Sequence, residues 1–170
     1  SHRTYHNKTH LLELFNNFEN YKLQLKSPNT VAFSIFYHDV IYNIWKKDNE
    51  EKSADYAIKD LLKIELHSHI LDVVHQQIIA TKTHQTKDND TKWLVDFDLA
   101  VLGKPSKTYK NYTQLIRKEY KLVPNFMYKK GRKKVLIHFI DKPFIYATRE
   151  FRELYENQAK LNLTTELNSL

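Results

Sequence analysis

The chain has 170 residues, of which 41% are apolar and 28% charged, and a formal net charge of +7. This length and balance predict one ordinary globular domain over residues 1–170. Cysteine is absent, which excludes disulfides and thiolate metal sites and favours a reducing, cytoplasmic location. No apolar run approaches the ~20 residues that a bilayer span needs, so no membrane partner is expected.

The predicted elements are all helices. Only two Gly and four Pro occur, and turn-formers this scarce favour an all-α fold over a sandwich or barrel. Apolar spacing and capping signals predict eight helices. In chain order they span residues 5–25, 30–47, 48–63, 67–80, 91–102, 106–120, 124–140 and 148–167. The first begins so close to Ser1 that we expect upstream residues to be missing.

Three predicted helices carry residues that are unusual for an apolar face. The first holds His6 and His10, four residues apart and therefore on one face. The second is apolar nearly all round, yet it contains the pair His38–Asp39. A buried carboxylate without a partner costs several kcal/mol, so it needs a hydrogen-bond donor or a cation.

The fifth predicted helix repeats the anomaly, because Asp96 and Asp98 lie within an apolar stretch. Two imidazoles and two or three carboxylates on separate helices are the donor types of a mixed nitrogen and oxygen metal site.

Positive charge is concentrated between residues 104 and 134, where eleven Lys or Arg accompany a single acid, Glu119. The remainder of the chain has a net charge of −3. A basic segment of this kind attracts phosphate groups, although a lysine-rich solvated face is an equally good interpretation.

Taken in order, the motifs resemble the HD-domain superfamily of metal-dependent phosphohydrolases. The shared pattern is His, His-Asp, Asp on successive helices, and nearly the whole chain resembles one bacterial branch. The sequence stretches that carry the resemblance are YHNKTH at 5–10, YHDVIY at 37–42, NEEKSA at 49–54, TKTH at 81–84, DFDLAVLG at 96–103, IRKEY at 116–120 and GR at 131–132. The resemblance implies a compact multi-helix HD-domain bundle.

The resemblance also implies a set of residue roles. The implied metal ligands are His10, His38, Asp39 and Asp98. Asp98 is preferred over Asp96 because the family's last ligand is closely followed by an apolar helix segment. His6 would donate a proton to the leaving oxygen.

Other residues have weaker motif support. His84 follows the fourth helix in the order in which some HD proteins use a histidine at the active site, but a loop histidine is equally often ordinary. Glu50, with Glu51, is either an acid at the site entrance or a favourable charge at a helix start. Three basic residues are candidate substrate contacts: Arg3, Lys82 and Arg117. The histidines at 2, 67, 69, 75 and 138 have no motif support.

The implied cofactor is a divalent metal ion, and the donor set suits Mn, Fe, Zn, Ni or Mg alike. The first hypothesis is a metal-dependent phosphohydrolase of a small phosphorylated substrate, a nucleotide being plausible. The second is a phosphodiesterase of cyclic or oligonucleotides, which the stretch Tyr5–His6–Asn7 suggests. The third is a non-enzymatic nucleic-acid-binding protein with a structural metal; nucleic acid is possible but not favoured, because no recognised motif supports it.

Overall fold

The computed structural model describes residues 3–170, and His2 lies outside this range. The described residues form eight α-helices and no strand, which confirms the predicted all-α class. Helices α1 to α8 span Lys8–Tyr21, Pro28–Tyr37, Asn49–Leu61, Ser68–Thr83, Asn89–Leu99, Ser106–Glu119, Asn125–Asp141 and Arg149–Ser169. Short 3-10 turns extend α1, α3 and α5, over Lys22–Gln24, Leu62–Ile64 and Ala100–Gly103. No helix in the described part of the chain combines the length and the hydrophobicity required to cross a bilayer.

These helices belong to two compact units. The first unit is His6–Asp98 and contains α1 to α5 except for the last residue of α5. The second unit joins the described residues before His6 to Leu99–Leu170 and contains α6 to α8. The expectation of a single domain stays a prediction.

The core of the first unit lies between α2, α3 and α4. Side chains from all three helices meet in one buried apolar cluster, against which Val40 also packs. The members of the cluster are Tyr37, Ala54, Ala57, Leu61, Leu71, Val74 and Ile78. Burial of this face fixes the direction in which α2 ends, and the candidate site begins there.

The largest departure from the predicted helices is the early end of α2. Apolar residues continue to Ile44, which favours a helix to residue 47, but α2 ends at Tyr37 and His38 is its C-cap. The backbone amide of Val40 donates to Tyr37 O at 3.0 Å in a tight turn. The hydroxyl of Ser53 then replaces the helical partners of Ile41, accepting from its amide at 3.0 Å and donating to its carbonyl at 3.2 Å. Side-chain hydrogen bonds of this kind make an irregular backbone affordable inside a helical protein.

Helix α1 begins later than predicted. Asn7 is its N-cap, and the side-chain oxygen of Asn7 accepts from the amide of Thr9 at 2.7 Å. Asparagine is among the best N-cap residues, so it sets the helix start. His6 therefore precedes the helix instead of sharing a helical face with His10.

In the second unit, capping and close packing set the helix ends. Thr148 caps α8 as predicted, its hydroxyl accepting from the amide of Phe151 at 3.3 Å. Gly103 ends the helical run after α5, but no described glycine has a positive φ. A Cβ at Gly103 would instead collide with Tyr155 and the hydroxyl of Tyr146. Space, not backbone conformation, requires glycine here.

Candidate metal centre

Two histidines and two aspartates of the first unit converge on one point. His10 lies on α1, His38 caps the end of α2, Asp39 follows it, and Asp98 lies in the last turn of α5. Ligand atoms of His10, His38 and Asp98 all lie within 4.8 Å of one another. This group could hold a metal ion.

The contacts between these atoms are short. Nε2 of His10 lies 3.2 Å from Asp98 Oδ1 and 3.9 Å from Asp39 Oδ2. Nε2 of His38 lies 3.3 Å from Asp39 Oδ2 and 3.8 Å from Asp98 Oδ1. Each imidazole thus faces both carboxylates, which brings together all four residues that the resemblance implies as ligands.

The ring of His38 is oriented by the helix that it caps. Its Nδ1 lies 2.7 Å from the carbonyl oxygen of Ile35. A carbonyl only accepts hydrogen bonds, so Nδ1 must carry the proton, and in the neutral ring Nε2 presents its lone pair to the carboxylates. Nε2 of His38 is buried and makes no hydrogen bond within the described residues. A histidine held by such a backbone contact on its other nitrogen is typical of a metal ligand.

Electrostatics of the group call for a positive charge between the carboxylates. His10 and His38 are only 4% and 3% exposed. Burial lowers the pKa of His38, but Asp39 and Asp98 outweigh that effect and raise this pKa to about 9. Burial acts in the opposite direction on Asp39, yet His38 brings the pKa of Asp39 down to about 2. Without a metal, a protonated imidazole therefore neutralises the acids; a divalent cation would meet the same need.

His84 contacts the centre from the side of Asp98. Its Nε2 lies 3.3 Å from Asp98 Oδ2, the oxygen that does not face His10. Against the effect of burial, contacts from His10 and His84 hold the pKa of Asp98 well below its usual range. His84 is the C-cap of α4, with a left-handed backbone at φ 52° and its amide donating to Ala80 O at 2.8 Å. Glycine or asparagine is usual at such a position, so histidine here carries a backbone cost.

His6 lies beside the group, although it is not on α1. Its ring is 5.6 Å from the ring of His10, edge to face, and is stacked on Tyr42 at 4.4 Å. Tyr42 is half-buried and follows the His38–Asp39 pair in the chain. Its contact with His6 was not predicted, since a single tyrosine after an H-D pair gives no signal of its partner.

Asp96 and Asp98 occupy different environments on α5. Asp96 is fully buried and does not belong to the metal-competent group, whereas Asp98 does. Residues two apart on a helix point about 200° apart, so only one of them can face the group. This geometry favours the choice of Asp98 as the ligand.

The remaining candidate residues are placed less directly. Lys82 donates to the carboxylate of Glu51, and to the carbonyl of Lys47 at 2.6 Å, so it fastens the chain before α3 to α4. Glu50 is half-buried in the first turn of α3. It lies outside the metal-competent group of the described residues. Its catalytic role stays a prediction.

Arg3 and Arg117 belong to the second unit. Arg117 donates to the carbonyls of Tyr120 and Val123 at 2.6 and 3.3 Å, and its guanidinium lies 4.6 Å from the ring centre of Tyr128. These contacts close the end of α6 and engage most of its donors. Substrate binding by Arg3 and Arg117 stays a prediction.

Comparisons with known proteins add no relative: no family model, no curated protein and no solved structure matches this chain. The geometry of the group is therefore the basis for any functional conclusion.

Proposed function

We propose that this chain is a metal-dependent hydrolase of the HD-domain type that cleaves a phosphate ester of a small substrate. The observation that carries the proposal is the convergence of His10, His38, Asp39 and Asp98 on one buried point. These residues come from three distant parts of the sequence, and their order matches the family pattern. A chance surface cluster of acids would not bury two imidazoles among them.

The donor set fits a divalent metal ion. Two imidazole nitrogens and two carboxylate oxygens suit a borderline or hard cation, and the tautomer of His38 is already set for coordination. A divalent ion at this point would polarise a phosphoryl group and lower the pKa of an attacking water. Two carboxylates leave an ion of charge +2 neutral, so an anionic substrate oxygen is not repelled.

The other residues of the site would assist without holding the ion. His84 would orient Asp98 through the 3.3 Å contact to Oδ2, as a residue behind a ligand commonly does. His6 would donate a proton to the departing alkoxide oxygen, and its stack on Tyr42 would fix the plane of its ring. His6 is tied to the site by His10 and Tyr42, so substrate has no ligand to displace before reaching it.

Metal analysis combined with a substrate panel tests the proposal. The purified protein should contain about one equivalent of a divalent metal or take it up after chelation, and it should release phosphate from phosphomonoesters. His10→Ala and Asp98→Ala should lose both metal and activity. His6→Ala should keep the metal but lose activity by about 10²-fold or more, the usual contribution of a general acid.

The matched control is His75→Ala on α4, an exposed histidine 3.6 Å from Asp55 and outside the group. It should keep metal and activity. A cyclic nucleotide in the panel separates the phosphodiesterase hypothesis from the phosphomonoesterase. If the wild-type protein binds no divalent metal, or if His10→Ala hydrolyses the panel at the wild-type rate, the proposal is wrong.

A further inference from the structure

Trp45 is the more exposed of the two tryptophans and lies on the loop that carries the candidate ligands. The 38–48 loop, defined as residues 38–48, begins with His38 and Asp39 and contains Tyr42, which stacks on His6. Trp45 is 59% exposed, whereas Trp93 is 4% exposed. Single exposed apolar side chains are common, so exposure alone would carry no inference.

The second observation is that the 38–48 loop is fixed in place around Trp45. The amide of Trp45 donates to the side-chain oxygen of Asn43 at 2.9 Å, and the amide of Lys46 donates to Asn43 O at 3.0 Å. Asn43 is held in turn by Asn49, which accepts from its amide at 2.9 Å and donates to its carbonyl at 3.0 Å. Asparagine commonly stabilises a turn in this way.

Both ends of the loop are anchored as well. Ser53 exchanges two hydrogen bonds with the backbone of Ile41, and Lys82 donates to the carbonyl of Lys47. The indole is therefore presented by an ordered backbone, and binding to it costs little conformational entropy. An ordered loop that holds a large aromatic side chain in water suggests a surface prepared for a flat partner.

The loop also sets how far Trp45 lies from the reaction centre. Three residues span at most about 11 Å between Cα atoms, so Trp45 lies within that distance of Tyr42, and the turn at Asn43 shortens it. The ring of Tyr42 lies on His6, the proposed proton donor. Lys46 and Lys47, both exposed, follow Trp45 and form no ion pair within the described residues. An aromatic face next to two cations is suited to a base that is joined to phosphate.

We propose that Trp45 is the platform on which the aromatic base of the substrate stacks, so that the substrate class is nucleotides and not sugar phosphates. This inference rests on the proposed function, because it assigns the substrate of that same site. Trp45 is a specificity-determining residue in this account and takes no part in the bond-breaking step.

The test compares adenosine 5′-monophosphate with ribose 5-phosphate, which has the same sugar and phosphate but no base. Binding to the full chain with Mn²⁺ is followed by tryptophan fluorescence and calorimetry, and turnover by phosphate release. The nucleotide should quench the exposed indole and bind roughly tenfold more tightly than the sugar phosphate, as expected for one base stacked on an aromatic side chain. Trp45→Leu should remove this preference and leave the affinity for ribose 5-phosphate unchanged, while Trp45→Phe should retain most of it.

Phe126→Leu is the matched control, since Phe126 is 73% exposed and belongs to the second unit. It should leave the nucleotide preference unchanged. The inference is overturned if Trp45→Leu keeps the wild-type ratio of the two affinities, if the wild type binds neither compound, or if the variant only changes the oligomeric state in sedimentation. If the nucleotide quenches and binds through Trp45 but neither compound is hydrolysed, the proposed hydrolase function fails while the base platform stands.

Discussion

Replacing Asp98 with asparagine should lower the pKa of His38 in the metal-free protein. The side chain keeps its shape but loses its charge, and Oδ1 of Asp98 lies 3.8 Å from Nε2 of His38. The pKa of His38 stands at about 9 in place of 6.5, which corresponds to about 3 kcal/mol in favour of the charged ring. Two carboxylates share this effect, and Asp39 at 3.3 Å is the closer.

The size of the change follows from the distance between the charges. At an effective dielectric constant of about 20, two unit charges 3.8 Å apart interact by about 4 kcal/mol, or about 3 pK units at most. Screening and relaxation reduce this value, so Asp98→Asn should lower the pKa of His38 by about 1–3 units. That places the pKa between about 6 and 8.

NMR titration of the imidazole resonances after chelation measures this pKa directly, with the spectrum of His38→Ala used to assign the signal. Asp55→Asn is the control, because it removes an exposed carboxylate 3.6 Å from His75 and should leave His38 unchanged. A folded Asp98→Asn protein in which His38 still titrates near 9 would refute the charge contact, and with it the geometry on which the metal centre rests.

Two further predictions concern pH and packing. In the metal-free protein, the raised pKa of His38 adds stability that is complete below pH 6.5 and is lost as the pH rises through about 9, while the lowered pKa of Asp39 adds stability that is lost as the pH falls through about 2. Urea unfolding with chelator should therefore show highest stability from about pH 4 to 6.5, whereas metal affinity should increase up to about pH 9, because the ion displaces a proton from His38; flat profiles would contradict this charge balance. Gly103→Ala should destabilise the fold by about 1–3 kcal/mol through overpacking against Tyr155. Gly131→Ala, where a Cβ meets nothing within 4 Å of mid-helix α7, should instead stabilise it by about 0.5–1 kcal/mol; equal effects of the two substitutions in urea unfolding would be inconsistent with the packing described.

The sequence predicts the helices well where local rules decide them. Apolar spacing finds eight helices, and Thr148 is recognisable as a cap because its hydroxyl bonds nearby in the chain. The group of His10, His38 and Asp98 is also anticipated, since buried acids and imidazoles on apolar helices need each other. These predictions use information that lies within a few residues or in the chemistry of burial.

What local rules miss is decided by partners distant in the chain. The end of α2 at Tyr37 depends on the hydroxyl of Ser53, twelve residues beyond Ile41, which satisfies a backbone that would otherwise stay helical. Lys82 gives no sign in the sequence that it holds the carbonyl of Lys47. A lysine next to a candidate active-site histidine suggests a phosphate ligand, but its contacts here are structural.

The early end of α2 also explains how His38 and Asp39 act together. Within a continuing helix, adjacent side chains diverge by about 100°, and one of the two would turn away from α1 and α5. Because the helix ends at Tyr37, Asp39 is free of that constraint, and its Oδ2 comes within 3.3 Å of His38 Nε2 and 3.9 Å of His10 Nε2. The same break releases the chain into the 38–48 loop, whose next residues bring Tyr42 onto His6 and Trp45 into solvent. One interruption of regular structure, supported by Ser53 and Asn49 from the following helix, thus gives both the ligand geometry and the surface beside it on which selectivity depends.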